Sequence, residues 1–244
     1  MTAQNIKSQN DISTSFKKEQ YKLFVFRTEN FIKEGFPSLV ATLTEQELVA
    51  IVEAVQKRGQ RSDFLTERNI WHYTVFCIYL GIFFDVDPQY AQYLEQYHWE
   101  DGSIDVRIAN MYDFMKFFVP SIGDDHGPFH EKINQLSNYY QELTMNRTLE
   151  RADPVKQAND FLAVFFERRW SLLSSDEQLA TINNNLDIAK KLNLSANNSI
   201  MYTVAAVYFG YGFHLSPIFP WAKCLSETTH RRTRTHKAIF GRRI

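Results

Sequence analysis

The chain is poor in the residues that punctuate a turn-rich fold, with 9 glycines and 7 prolines in 244 residues. That scarcity argues against a β-sandwich or barrel and favours long helices. Cysteine is scarcer still. Cys77 and Cys224 both sit in apolar sequence, so no disulfide framework is indicated and both read as reduced, packed thiols. No CxxC pair, phosphate-cradling glycine-rich loop or nucleophile elbow occurs, so no cofactor and no enzyme activity are expected. The first 20 residues are polar and lack the apolar core of a secretory signal, which points to a cytoplasmic chain, with export by a signal-free machine left open. A membrane-spanning run is missing too. The longest nearly uncharged stretch, Ser199 to Ala222, is interrupted by Pro217 and Pro220 and weakened by Gly210 and Gly212, and its counterpart Trp71 to Phe84 is too short to span.

What is present is apolar and aromatic. Hydrophobic residues make up 44% of the chain and aromatics 15%, with 20 Phe and 12 Tyr, enough to build a sizeable core. The net charge is −1, but its distribution is uneven. Six of the 27 Lys and Arg fall between Thr229 and Ile244 without one acid, leaving 21 basic residues against all 28 acidic ones in the rest.

The strongest internal signal is a self-match. Thr66 to Leu94 (TERNIWHYTVFCIYLGIFFDVDPQYAQYL) returns as Ser195 to Leu225 (SANNSIMYTVAAVYFGYGFHLSPIFPWAKCL). Tyr73-Thr74-Val75 pairs with Tyr202-Thr203-Val204, then Tyr79 with Tyr208, Gly81 with Gly210, Phe84 with Phe213 and Pro88 with Pro217, all at one offset. Two residues inserted after the proline bring Tyr90-Ala91 and Leu94 onto Trp221-Ala222 and Leu225. Upstream, Leu43 to Glu47 meets Leu173 to Glu177, and Phe31-Ile32 with Phe36 meets Phe161-Leu162 with Phe166. A self-match over roughly 65 residues predicts two tandem, divergent helical repeats.

Local signals agree. Apolar spacing predicts helices over about 15–34 and 45–58. Thr44 to Glu47 and Ser174 to Glu177 are both capping boxes, in which a hydroxyl satisfies a free backbone N–H while the glutamate reaches back. Thr66 and Ser195 precede the two apolar helices, the first expected over Glu67 to Phe83 and buried on nearly every face. Asp87-Pro88 and Asp153-Pro154 each open a helix, because proline fits the first turn and aspartate caps it; Ser216-Pro217 replaces Asp87-Pro88 in the second copy. Two further helices, about 104–118 and 128–145, would form an αα hairpin on the first copy. The expected architecture is an all-α bundle of about ten helices, with residues 1–150 holding the first repeat and the hairpin, 151–228 the second repeat, and 229–244 a basic tail. The apolar helices should lie near its centre, where Gly81 and Gly210 permit close backbone approach.

Each chemistry-bearing motif has a bland competitor. Asp85-Val86-Asp87 resembles a paired-carboxylate metal site, but Asp87 already has a capping role ahead of Pro88. His72 has Met201 as its counterpart and reads as a core or boundary histidine rather than a general base. Asp124, Asp125, His126, His130 and Glu131 form the best acid–base or metal candidate, with two histidines four apart. Gly127-Pro128 breaks the helical continuity that zinc spacing needs, so a capped loop is the expected reading. Glu167-Arg168-Arg169-Trp170 is a further charged feature. In the tail, Arg231, Arg232, Arg234 and Lys237 could bind an acidic partner or nucleic acid, but only Phe240 offers a base-stacking ring and a solvated terminus is the simpler reading. No metal ligand set and no catalytic residue is assigned.

Thr66 to Ile70, Leu80-Gly81, Phe84-Asp85 and Asp87-Pro88, with Phe219 to Ala222 in the second copy, resemble a pattern of helical proteins encoded beside effector and spike genes of bacterial type VI secretion systems. The first copy keeps the Phe-Asp-x-Asp-Pro corner and lacks Pro-Trp-Ala; the second keeps Pro-Trp-Ala and has His214 and Ser216 for the acids. The resemblance spans roughly 50 residues per copy and brings no catalytic residues. It implies a non-enzymatic immunity or accessory protein that recognises an effector toxin, with an effector adaptor or loading chaperone as a close alternative. An enzyme or toxin with its site at Asp124 to Glu131 is the runner-up class, and nucleic-acid binding through the basic tail is a third.

Overall fold

A computed structural model describes residues 3–122, Asn138 and residues 153–227, and every described element is helical. The α-helices are α1 (Ala3–Gly35), α2 (Pro37–Val40), α3 (Glu45–Arg61), α4 (Glu67–Leu80), α5 (Ala91–Gln96), α6 (Ile104–Ile122), α7 (Pro154–Phe165), α8 (Glu167–Ser171), α9 (Ser175–Lys191), α10 (Ala196–Phe209) and α11 (Cys224–Glu227). The all-α expectation holds, with no strand among the described residues. No described helix is long and apolar enough to cross a membrane.

The predicted starts are where the caps placed them. Thr44 Oγ1 accepts from Glu47 N–H at 3.2 Å while Glu47 Oε2 accepts from Thr44 N–H at 2.8 Å; Ser174 and Glu177 repeat this at 3.3 and 2.8 Å. Asp153 accepts from Val155 N–H at 2.9 Å and opens α7 at Pro154. Several ends differ from expectation. Helix α1 begins well before residue 15, α3 runs three residues further than Arg58, and α6 continues through Pro120 to Ile122. Helix α4 stops at Leu80 instead of Phe83, because Gly81 takes φ 95° and leaves the right-handed helical region. The hairpin helix expected over 128–145 lies outside the described residues.

Two compact units are present, Met1–Val75 and Phe76–Ile244, so the division between them falls inside α4. The residues after Phe76 pack with the second half of the chain, which places most of the first corner in the second unit.

In the first unit, α1 packs on α3, whose Leu48, Ile51, Val52 and Val55 are buried on one face. Trp71 stacks on Phe31 with ring centres 5.2 Å apart, and its indole N–H donates to Thr28 Oγ1 at 3.1 Å. That single hydrogen bond satisfies the polar atom of a large apolar side chain.

In the second unit the core is built on α10, where Ile200 through Val207 and Phe209 are all buried and α7 and α9 pack against the helix. A helix apolar on every side has to be enclosed. Around it, Phe76, Phe84 and Trp99 meet edge to face, and Tyr90 and Tyr93 meet Phe114 and Phe118 of α6. Arg107 closes this cluster, its Nε donating to the Trp99 carbonyl at 2.6 Å with the guanidinium 4.8 Å from the indole centre.

Candidate functional site

Two regions of the second unit gather polar chemistry, one buried and one open. The buried one begins at the glycines that end α4 and α10. Gly81 N–H donates to Cys77 O at 3.0 Å and Gly210 N–H to Ala206 O at 2.9 Å, and both glycines have φ near 95°. Their backbones touch. A Cβ added to Gly210 would lie 2.8 Å from the Leu80 carbonyl oxygen and 3.0 Å from Gly81 Cα; one added to Gly81 would lie 3.0 Å from the Phe209 carbonyl oxygen. From each glycine the chain enters a short 3-10 turn, Phe84–Val86 in one case and Phe213–Leu215 in the other. Next comes a capping residue: Asp87 Oδ1 accepts from Gln89 N–H at 3.1 Å, and Ser216 Oγ accepts from Ile218 N–H at 3.2 Å.

Beyond this point the corners diverge. Pro88 starts a 3-10 turn that runs into α5, whereas the helical turn of the second corner starts only at Pro220 and leads into α11. The expectation that Ser216-Pro217 would open a helix as Asp87-Pro88 does is thus corrected: the helical turn starts three residues further on, at Pro220. Asp87 has a further partner, its Oδ2 accepting from Tyr211 N–H at 2.7 Å. Its carboxylate also accepts from Gln89 Nε2 at 2.7 Å, and burial pushes its pKa up to about 6 against the lowering pull of these hydrogen bonds and of Arg169. Arg169 is itself buried, donating through Nη2 to Tyr90 Oη at 2.7 Å and through Nη1 to the Tyr208 carbonyl at 3.4 Å.

His214, at the position equivalent to Asp85, is buried and its Nδ1 lies 2.7 Å from Tyr202 Oη. Burial lowers the histidine pKa and raises that of the phenol, so both stay neutral near pH 7. The pair satisfies two polar groups inside an aromatic core and offers no access for a substrate.

The open region is a cleft of about 500 Å³ lined by Asp85, Ala91, Leu94, Glu95, His98, Trp99, Glu100 and Asp101. The turn after α5 builds it. His98 sits in the left-handed region at φ 50°, and its Nδ1 is 3.0 Å from Asp101 Oδ2. Four carboxylates thus line the cleft beside the largely buried Leu94 and Trp99. Such an acidic lining suits a cationic group that meets the carboxylates directly. Among the described residues no group of three His, Cys, Asp or Glu is placed to hold a metal ion.

The structure brings only some of the sequence candidates into these regions. Asp85 lines the cleft and Asp87 points into the buried network, so the two acids of the corner are divided between open and closed sites. His72 is half-buried in the first unit. In Glu167 to Trp170, Glu167 and Arg168 are exposed while Arg169 and Trp170 are buried. Asp124, Asp125, His126, His130 and Glu131 lie outside the described residues, as do Arg231, Arg232, Arg234 and Lys237. Sequence reasoning did not single out Glu95, His98, Glu100 and Asp101; their one signal was a run of polar and aromatic residues ending at Gly102. No protein-family model, curated protein or solved structure matches the chain.

Proposed function

We propose that the chain is a non-enzymatic binding protein, an immunity or accessory protein that recognises a type VI secretion effector toxin. The observation that carries this reading is the cleft, which Asp85, Glu95, Glu100 and Asp101 line beside Leu94 and Trp99. An acidic lining supplies a complementary field for a basic protein. The resemblance to proteins encoded beside effector genes supplies the kind of partner. The protein neutralises by covering a functional surface of the toxin, which needs no group transfer. His214 and Tyr202 fit this reading because their hydrogen bond is enclosed in the core.

The test is co-purification with each effector encoded in the same gene neighbourhood, followed by calorimetry and a growth assay. The expected result is a stoichiometric complex and suppressed toxicity. Glu95→Lys combined with Glu100→Lys should weaken the complex at least about tenfold, equivalent to about 1.4 kcal/mol, and most strongly at low salt. Unchanged affinity in that variant would remove the cleft from the interface. A complex that leaves toxicity intact would make the chain an effector adaptor or loading chaperone. An activity of the purified protein that disappears in His126→Ala would replace the binding reading altogether.

A further inference from the structure

We propose that Asp87 and the side-chain amide of Gln89 form a proton-operated latch on the loop from Gly210 to Gly212. Both side chains are 2% exposed. Asp87 Oδ1 accepts from Gln89 N–H at 3.1 Å; Oδ2 accepts from Gln89 Nε2 and from Tyr211 N–H, each at 2.7 Å. All three contacts are donors facing a carboxylate, so the loop is held by a charge-assisted bond. The other end of the same amide, Gln89 Oε1, is buried with no partner among the described residues. An enclosed acceptor without a donor is a costly arrangement. It becomes useful when the carboxyl carries a proton.

The step balances simply. One proton from solvent forms an O–H bond at Asp87 Oδ2, the residue goes from −1 to neutral, and the site gains one positive charge. The Gln89 amide then turns through half a rotation about its terminal bond. Oε1 takes the place of Nε2 and accepts the new O–H. Tyr211 N–H is left facing a neutral hydroxyl oxygen, which is a weaker acceptor than a carboxylate. Tyr211 lies between two glycines, Gly210 at φ 94° and Gly212 at φ 64°, whose carbonyls accept from Phe213 and Leu215 N–H at 3.2 and 2.8 Å, so the bond to Asp87 is the one contact of this loop that a proton can weaken.

The groups that face Asp87 allow this. The Arg169 guanidinium on α8 attracts the carboxylate, but its Nη2 and Nη1 donate to Tyr90 Oη and the Tyr208 carbonyl. The Tyr90 phenol is pushed up to about 12 and stays neutral. Three elements pack on the turn that holds Gln89: the 3-10 turn carrying the half-buried Asp85, α5 carrying the exposed Glu95, and α9, which buries Thr181, Ile182, Asn185 and Ala189, none of them ionisable, and keeps Asp176 and Asp187 exposed and Glu177 half-buried. The field of one arginine therefore opposes burial without cancelling it, and the Asp87 pKa is raised to about 6. Because the folded value exceeds the unfolded one, this group's contribution to stability is present at low pH and is lost as pH rises through about 6. Protonation thus loosens the loop locally while favouring the folded chain overall.

The experiment is a pH titration of the isotope-labelled full chain by NMR, from about pH 7.5 to about pH 4. The expected result is a common midpoint near 6 for the Asp87 carboxyl carbon, the Tyr211 amide and the Gln89 side-chain NH₂. Tyr211 amide exchange, corrected for its intrinsic pH dependence, should speed up on the acid side. A carboxyl midpoint in the ordinary aspartate range, or a Gln89 side chain that ignores the titration, would overturn the latch. Gln89→Met removes both amide atoms; its Asp87 midpoint should rise, since the lost side-chain hydrogen bond favours the ionised form. An unchanged midpoint in that variant counts against the role of Gln89, and should the variant not fold, the unmodified chain decides alone.

Discussion

The corner at Gly81 and the corner at Gly210 perform the same backbone manoeuvre with different side chains. Both end an apolar helix on a glycine near φ 95°, pass through a 3-10 turn and cap the next segment with a buried oxygen. One cap is Asp87, which also reaches the Tyr211 amide; the other is Ser216, whose hydroxyl serves its own turn. The position two residues before the cap also differs, with Asp85 lining an open cleft and His214 sealed against Tyr202. The backbone requirement is shared because glycine alone tolerates both the dihedral and the contact. The charge requirement is not shared, and the acids mark the corner that ties the two together.

The largest expected effect comes from breaking the shared part. Gly210→Ala meets a positive φ and a backbone oxygen 2.8 Å from the new Cβ, so it should destabilise by about 3–5 kcal/mol in urea unfolding. Gly81→Ala should cost nearly as much, and the double variant less than the combined single costs, because one displacement of the touching backbones relieves both clashes. Full additivity would mean that the glycines do not act as one contact.

Next in size is the sealed pair. Tyr202→Phe leaves the His214 ring nitrogen without its partner and should cost about 1–2 kcal/mol. The pH dependence gives a sign to check. Burial holds the folded His214 pKa below its unfolded value of 6.5, so the unfolded chain binds the proton first and stability is lost as pH falls below 6.5. His214→Gln should flatten that part of the stability profile. A profile equally steep in the variant would assign the loss to other groups.

The two capping boxes offer a finer comparison. Thr44→Ala and Ser174→Ala should each cost about 1 kcal/mol, since the same reciprocal pair of hydrogen bonds is removed. The smallest change at neutral pH is expected from Asp87→Ser, which copies the second corner into the first. It keeps the local cap and loses the bonds from Tyr211 N–H and Gln89 Nε2, while removing the desolvation of a buried carboxylate; the opposing changes should leave a net within about 1 kcal/mol at pH 7. The readout that sharpens the comparison is the shape of the curve: the stability change across the Asp87 window should vanish in this variant.

Much of this was legible in the chain itself. Thr44, Ser174, Asp153 and Asp87 announced their caps because a hydroxyl or carboxylate bonds to an N–H two or three residues on, a distance set by local geometry. The apolar runs announced α4 and α10, and the glycine pairing anticipated the place where their ends meet. The end of α4 was missed because Ile82 and Phe83 continue the apolar pattern after the glycine has already turned the backbone away. Arg169 was missed as a buried residue because its partner Tyr90 is 79 positions distant. The cleft acids carry no periodicity at all.

The sequence by itself determined that this protein is helical, where the helices capped by Thr44, Asp153, Ser174 and Ser195 begin, and that two glycine corners recur, since propensity, capping and φ are properties of neighbouring residues. Only the tertiary structure decided which corner aspartate is sealed and which is open, and that Asp87 holds an amide 124 positions away. Burial and hydrogen-bond partnership depend on what the fold brings alongside, and those neighbours fix whether a carboxyl group caps a turn, meets a partner or takes up a proton.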